Sequence, residues 1–186
     1  LSRLMLRLHD WPGWRARLEV QTWPSGFRKL FALRQWRLLH EGRQIGEAVS
    51  AWLMIDHRTR RPIRPQTLAT WGEHIRDEQA LAHDFAALPE PDGPAAPTLP
   101  GVQEHTVRFG DVDINGHAGY LAYVDWVLET VPTEIRSRCR LAELEIHYVA
   151  EVSQGERVGA RSGPCAAEPG TAGYLHILEC EGREAC

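Results

Sequence analysis

Polar and apolar side chains alternate at residues 15–22, which is the pattern of a half-buried β-strand, and the first 56 residues as a whole read as strands separated by turns. The predicted strands occupy residues 4–8, 15–22, 30–39 and 47–55. Turns that contain Gly or Pro are predicted between them at residues 11–13, 24–26 and 41–42, and a further turn at residues 56–61 precedes Pro62. The first part of the chain is therefore expected to form a meander of antiparallel strands.

The pattern changes after residue 65. Residues 66–87 favour a helix with a charged face, and residues 88–100 contain five prolines, which is typical of a stiff linker. A strand at 102–109 precedes a long amphipathic helix at 117–131. Three more strands are predicted near residues 141–152, 156–163 and 172–180. The apolar stripe of the long helix, expected to pack in a core, consists of Leu121, Val124, Leu128 and Val131.

A long helix followed by antiparallel strands predicts an α+β fold in which a sheet wraps round a helix. We expect a first domain at residues 1–87, with strands and then a helical segment, a linker at 88–100 and a second domain at 101–186. The first domain shows the strands without a long helix before them. We therefore expect this repeat to be incomplete and the chain to be truncated at both ends.

Composition is that of an ordinary soluble protein, with 43% hydrophobic and 25% charged residues among 186. No apolar run approaches the roughly 18 residues of a membrane span, and no leader peptide is visible. The four cysteines form no CxxC pair, which favours free thiols in a reducing compartment such as the cytoplasm.

The net charge of −4 hides an asymmetry between the two parts of the chain. Residues 1–76 carry 14 basic against 6 acidic residues, a net charge of +8, whereas residues 77–186 carry 7 against 19, a net charge of −12. The basic residues either form a solvated face or attract an acidic partner. The candidates for contact with such a partner are Arg28, Lys29 and Arg34. No nucleic-acid motif accompanies it, so a nucleic-acid partner is not expected.

Residues 113–117 hold more potentially catalytic side chains than any other segment of this length. They read Asp-Ile-Asn-Gly-His and lie at the start of the long predicted helix. A helix N-terminus offers backbone N–H groups and partial positive charge, which stabilise an oxygen that gains negative charge. Asp113 supplies a base or nucleophile, Asn115 a positioning amide and His117 a titratable ring. The pattern therefore predicts an active-site loop.

Other interpretations of this loop stay open at this point. Asp113 or Asn115 could simply cap the helix. The pattern from Asp111 also matches the opening of an EF-hand calcium loop, but the twelfth position is Ala122 where a bidentate Glu is needed. A zinc site would need a second His or Cys at ligand spacing, and the sequence has none there. No metal or cofactor is therefore expected.

Several separated motifs resemble those of the acyl-acyl-carrier-protein (acyl-ACP) thioesterase family, which is built from two hot-dog domains. The motifs that carry the resemblance are residues 22–26, 30–34, 50–56 and 59–62 in the first part, and residues 113–117, 123–126, 144–148 and Glu151 in the second. They extend over nearly the whole chain. The resemblance implies a tandem (double) hot-dog fold with antiparallel sheets wrapped round a central helix.

The resemblance also implies a catalytic group formed by Asp113, Asn115, His117 and Glu151, and hydrolysis of fatty acyl-ACP to free fatty acid in fatty acid biosynthesis. Acyl carrier protein is the implied partner, and a homodimer is one open arrangement. Val152 stands where plant members have a Cys, which argues against a cysteine nucleophile. Gly119 and Tyr120 replace two Asn of the family pattern, which changes the local helix geometry. An acyl-CoA thioesterase and a non-catalytic acyl-thioester-binding module remain alternatives.

Overall fold

We describe the protein from a computed structural model, which covers residues 1–67, 69–88, 99 and 101–186. The strands in these ranges are β1 (Arg3–Leu8), β2 (Leu18–Arg28), β3 (Phe31–His40), β4 (Arg43–Ile55), β5 (Pro62–Ile63), β6 (Gln103–Thr106), β7 (Glu143–His147), β8 (Arg157–Cys165), β9 (Gly173–Cys180) and β10 (Arg183–Glu184). The α-helices are α1 (Tyr120–Glu129) and α2 (Thr133–Arg138). The predicted α+β composition is confirmed, although the short helix α2 was not predicted.

The first sheet is antiparallel and has the strand order β2-β3-β4-β1-β7, with β5 paired to the end of β4. β2, β3 and β4 form a meander as predicted, but the first strand, which was predicted to belong to the same meander, does not pair with β2. β1 pairs with the other edge of β4, so that Met5 lies opposite Val49. β7 comes from much later in the chain and pairs with the free edge of β1, where Ile146 lies opposite Leu4.

The turn predicted at residues 24–26 is wrong, because β2 continues through them. The register of β2 against β3 shifts between Pro24 and Gly26, and Gly26 has a φ of 121°. One extra residue is therefore accommodated as a β-bulge, and glycine adopts the left-handed backbone angle at little cost. The chain turns instead at Lys29, which has a φ of 53°.

The α-helix predicted within residues 66–87 is also wrong. Two short 3₁₀ turns, Pro65–Thr67 and Ala69–His74, occupy its beginning, and residues 75–85 contain no helix. The reason is tertiary, because side chains of the first sheet bind this segment's backbone. Gln35 Oε1 accepts the N–H groups of Ala80 and Leu81 at 3.1 and 3.0 Å. Bonds of this kind replace the intrahelical hydrogen bonds.

The hydrophobic core around the first sheet lies where residues 75–85 cover that sheet. Leu81 and Phe85 are buried in one hydrophobic cluster with Met5, Val49 and Ala51. The Trp23 indole N–H donates to the carbonyl of Glu78 at 2.7 Å. Apolar burial and these buried hydrogen bonds together hold the segment on the sheet.

The second sheet is antiparallel with the order β10-β9-β8-β6, and α1 packs against β8 and β9. The buried face of α1 consists of Ala122, Tyr123, Trp126 and Val127. The stripe predicted to pack in the core is confirmed at Val131, which is buried just beyond α1, and wrong at Leu121, which is 77% exposed, while Val124 and Leu128 are half-buried. The aromatic rings of Tyr123 and Trp126 offer more apolar area than the aliphatic stripe, so they set the helix's rotation.

The chain divides into two compact units, one of Leu1–Phe85 with Arg140–His147 and one of Ala86–Cys139 with Tyr148–Cys186. β7 therefore belongs to the first unit although it follows α1 in sequence. Apart from residues 88 and 99, the predicted Pro-rich linker at 88–100 lies outside the described residues, so the domain limits of the sequence analysis stay predictions. Within the described part, no helix has the length and apolar character needed to cross a membrane.

Candidate active site

Residues 111–119 form a tightly hydrogen-bonded loop directly before α1. Asp113 Oδ1 accepts the backbone N–H of Asn115 at 2.8 Å, and Asp113 Oδ2 accepts the Asn115 side-chain N–H at 3.2 Å. The N–H of Asp113 donates to the carbonyl of His117 at 2.9 Å. Gly116, with a φ of 84°, allows the sharp reversal between them. The loop thus fixes the backbone of Asp113, Asn115 and His117 in one short arc.

The same bonds favour the ionised form of Asp113. The backbone N–H of Asn115 is the largest influence lowering the pKa of the Asp113 carboxyl, and removal of water from that carboxyl raises it in part. The Asn115 side chain and the backbone and charge of His117 lower this pKa further. A lowered pKa means that the carboxylate persists from neutral pH to below the ordinary Asp range and is lost only in more acidic solution. Asp113 is therefore a carboxylate at neutral pH.

Backbone bridges bring Glu151 to this loop from a distant part of the sequence. His117 pairs with Ser153 in an isolated antiparallel bridge, and the N–H of Ala118 donates to the carbonyl of Val152 at 2.8 Å. Glu151 Oε2 consequently lies 3.5 Å from His117 Nε2. The Glu151 side chain is 56% exposed and the His117 side chain 34%, so both are open to solvent.

α1 begins at Tyr120, three residues later than the predicted start at 117. Gly119 is the N-cap and provides no side-chain capping bond, while its N–H donates to the carbonyl of Asp111 at 2.7 Å. The interpretation of Asp113 or Asn115 as the cap of this helix is therefore wrong. His117 lies in the loop before the helix, and the N–H groups of the first helical turn follow it directly.

Three tyrosines pack together beside the site, namely Tyr120 and Tyr123 on α1 and Tyr148 directly after β7. The sequence did not predict this role. The Tyr123 hydroxyl donates to the carbonyl of Ala150 at 2.9 Å, and burial raises the Tyr123 pKa to about 12. The rings of Tyr123 and Tyr148 meet at 5.4 Å between centroids, and those of Tyr120 and Tyr148 at 5.3 Å. Tyr123 thereby anchors the residue before Glu151 to α1. Aromatic residues at helical positions i and i+3 were the available signal.

The calcium and zinc interpretations find no support in the geometry. Asp111, the first position of the calcium-like pattern, accepts the backbone N–H of Arg108 at 2.7 Å and so caps its own 3₁₀ turn. Among the described residues, no group of three or more His, Cys, Asp or Glu side chains is arranged to hold a metal ion.

The cysteines are all free thiols. Val152, which stands where plant family members have a Cys, is fully buried with 0% exposure. The arrangement next to Glu151 is therefore one of acids and imidazole, with a packing residue at the neighbouring position.

Family models match most of the chain in two separate stretches. Residues 1–67 match the N-terminal domain of acyl-ACP thioesterases, and residues 97–185 match the C-terminal domain. The loop at 113–117 and Glu151 both lie within the C-terminal match.

Known proteins from plants and bacteria show the same relationship. Oleoyl-acyl carrier protein thioesterase 1 of Arabidopsis thaliana is 25% identical over 97% of this chain and 56% of its own length. An acyl-ACP thioesterase structure from Bacteroides thetaiotaomicron superposes with a TM-score of 0.81 at 26% identity, over 99% of this chain and 72% of that one. The 12:0-ACP thioesterase structure from Umbellularia californica gives a TM-score of 0.84 at 22% identity, over 99% and 68%, and supports the fold alone.

These matches and the two antiparallel sheets define a protein of the tandem hot-dog class. The chain belongs to the acyl-ACP thioesterase family. It spans about half the length of the curated relatives it matches, with coverage of 56% and 45% of the first two.

Proposed function

We propose that the protein hydrolyses fatty acyl thioesters of acyl carrier protein and releases free fatty acid. The observation that carries the proposal is the meeting of the Asp113–Asn115–His117 loop with Glu151 at 3.5 Å, within a family named for this reaction. The single pair alone could be a surface ion pair. Because the pair lies beside a helix N-terminus, backbone N–H groups next to it can stabilise an oxygen that gains negative charge.

In the proposed reaction, the thioester carbonyl lies over the first turn of α1. Backbone N–H groups there stabilise the tetrahedral oxyanion. Either a carboxylate attacks the carbonyl carbon directly, or it removes a proton from a water molecule that attacks. The C–S bond then breaks, and the departing thiolate takes a proton through His117, which regains it from the water consumed in the reaction. After direct attack, the carboxylate and the acyl group form a mixed anhydride, and water hydrolyses this anhydride to free fatty acid and the restored carboxylate. Asn115 holds the Asp113 carboxylate in place through the two bonds described above.

Both Asp113 and Glu151 fit the role of base or nucleophile. Asp113 is held as an anion by the loop, whereas Glu151 faces the imidazole of His117. We assign the four residues to one site and leave the two routes of attack to experiment. After direct attack, water that adds to the enzyme carboxyl carbon of the anhydride leaves an unlabelled enzyme oxygen in the fatty acid and puts ¹⁸O into the enzyme carboxylate during a single turnover in ¹⁸O-labelled water. Attack of water on the thioester itself labels the fatty acid and leaves the enzyme unlabelled.

Location and assembly belong to the same proposal. The four free thiols are consistent with a reducing compartment, and we place the reaction in the cytoplasm, whereas the plant relative from Arabidopsis is named as chloroplastic. The homodimer stays a prediction.

Turnover of two substrates with the same acyl group tests the proposal. We expect the full chain to hydrolyse an acyl-carrier-protein thioester with a higher kcat/KM than the matching acyl-CoA thioester. Raising the ionic strength should raise KM for the carrier-protein substrate more than for the CoA substrate, because salt screens contacts between protein charges. Release of free thiol measures both rates.

The outcomes separate the alternatives. An equal salt response with faster CoA turnover would favour an acyl-CoA thioesterase. Tight binding of both thioesters without any turnover would favour a non-catalytic binding module.

A further inference from the structure

Exposed cations gather at one end of the first sheet. Lys29 occupies the β2–β3 turn, and the segment that joins β4 to the first 3₁₀ turn carries Arg58, Arg60, Arg61 and Arg64. The strand register places both at the same end, because Phe31 at the start of β3 lies opposite Leu53 near the end of β4. Gln66 Nε2 also donates to the carbonyl of Lys29 at 3.1 Å. We call these five cations the basic sheet end.

Four of the five cations at the basic sheet end are poor in acidic partners among the described residues. Arginines elsewhere in this unit form ion pairs, such as Arg7 with Glu143 and Arg37 with Glu78. Within the part of the chain that the structure describes, no ion pair engages Lys29, Arg58, Arg61 or Arg64. The acid in the turn, Asp56, already accepts the N–H groups of Arg58 and Thr59 at 3.0 and 2.7 Å. Clustered like charges repel one another, and a bound anionic partner would relieve that repulsion.

Two exposed apolar side chains lie next to these cations along the chain. Leu30, beside Lys29, is 36% exposed, and Ile55, at the end of β4, is 45% exposed. Cations beside apolar side chains suit a protein surface that presents both carboxylates and apolar side chains. A bare phosphate backbone would use the charges but not Leu30 or Ile55.

We propose that the basic sheet end, with Leu30 and Ile55, is the docking surface for the acidic carrier protein that delivers the acyl thioester. This inference rests on the proposed function, since it names where the protein part of that substrate binds. Arg28 and Arg34, two candidates from the sequence, are engaged inside the unit. Arg28 donates to the carbonyl of Asp84, and Arg34 donates to Thr22 Oγ1 at 3.1 Å.

Paired charge reversals at the two ends of the same sheet test the docking surface. The test variant is Arg61→Glu with Arg64→Glu, and the matched control is Arg15→Glu with Arg17→Glu. Arg15 and Arg17 are exposed and precede Leu18, which starts β2 at its other end. Both variants change the net charge by the same amount, so a general charge effect would appear in both.

Binding of a fluorescently labelled carrier protein to the full chain is measured by anisotropy at low salt, and turnover is measured with carrier-protein and CoA thioesters. We expect the test variant to raise the carrier-protein Kd and KM about tenfold or more, because complementary charges contribute to encounter and register. Its turnover of acyl-CoA should be unchanged, which also shows that it is folded. The control variant should change each value less than about twofold.

Unchanged binding in the test variant, or an equal loss in both variants, would overturn the docking surface. Failure of the proposed function is recognised separately. If the wild-type chain binds the carrier protein but hydrolyses neither thioester, the function fails, while selective loss of binding in the test variant still supports the surface. If the wild-type chain does not bind the carrier protein, the docking surface is overturned whatever its activity on CoA thioesters.

Discussion

Asp113→Asn and Glu151→Gln are each expected to lower kcat for thioester hydrolysis by on the order of 10²–10⁴, the usual effect of losing an essential base or a positioned charged group. Both substitutions keep the size of the side chain and remove its charge, so they separate chemistry from packing. Thiol release gives the rate for each purified variant.

Two controls accompany these variants. Thermal unfolding should be little changed, since both carboxylates lie at least partly exposed to solvent. Cys139→Ser and Cys165→Ser should keep full activity, because both thiols are exposed and the proposed chemistry uses no sulfur nucleophile. Full turnover by both carboxylate variants would contradict the carboxylate mechanism and leave the loop as a purely structural turn.

Phe85→Ala is expected to lower the free energy of unfolding by about 3–5 kcal/mol, as is typical when a buried aromatic ring is removed. Phe85 is only 6% exposed, and its ring meets the edge of the His83 ring at 4.8 Å between centroids. Its carbonyl also accepts the Arg3 guanidinium at 2.6 Å. The loss would uncover the core that holds residues 75–85 on the first sheet. Urea unfolding of the full chain measures it.

Phe109→Ala is the matched control, because Phe109 is 83% exposed and should cost less than about 0.5 kcal/mol. If both variants unfold at the same urea concentration, the segment 75–85 does not form part of the core. That result would contradict the packing of this segment on the first sheet.

The sequence predicted where most strands lie because apolar stretches are separated by turn residues. Residues 30–39 correspond closely to β3 and residues 172–180 to β9, whereas β4 begins at Arg43, four residues before the predicted strand 47–55. It failed where tertiary contacts overrule local pattern. The 66–87 segment carries a helical charge pattern, yet Gln35, far away in sequence, binds its backbone and prevents a helix. A local window contains no information about that partner.

The candidate site divides in the same way. Asp113, Asn115 and His117 are neighbours in sequence, so their density was visible, and their loop geometry follows from local hydrogen bonds. Glu151 was reached only through the family resemblance, because a bridge between His117 and Ser153 brings it to the loop. Tyr123 was not anticipated, since its hydroxyl bond to Ala150 depends on how α1 packs.

The central claim is that these side chains work in one hydrolytic step, and a double-mutant cycle tests it most directly. His117→Ala, Glu151→Gln and the double variant are compared in kcat for one acyl-carrier-protein thioester. We expect the double variant to be about as slow as the slower single variant, since groups that act as a unit show strongly non-additive losses. Losses that multiply, or a double variant with full activity, would contradict a shared role for the pair that meets at 3.5 Å.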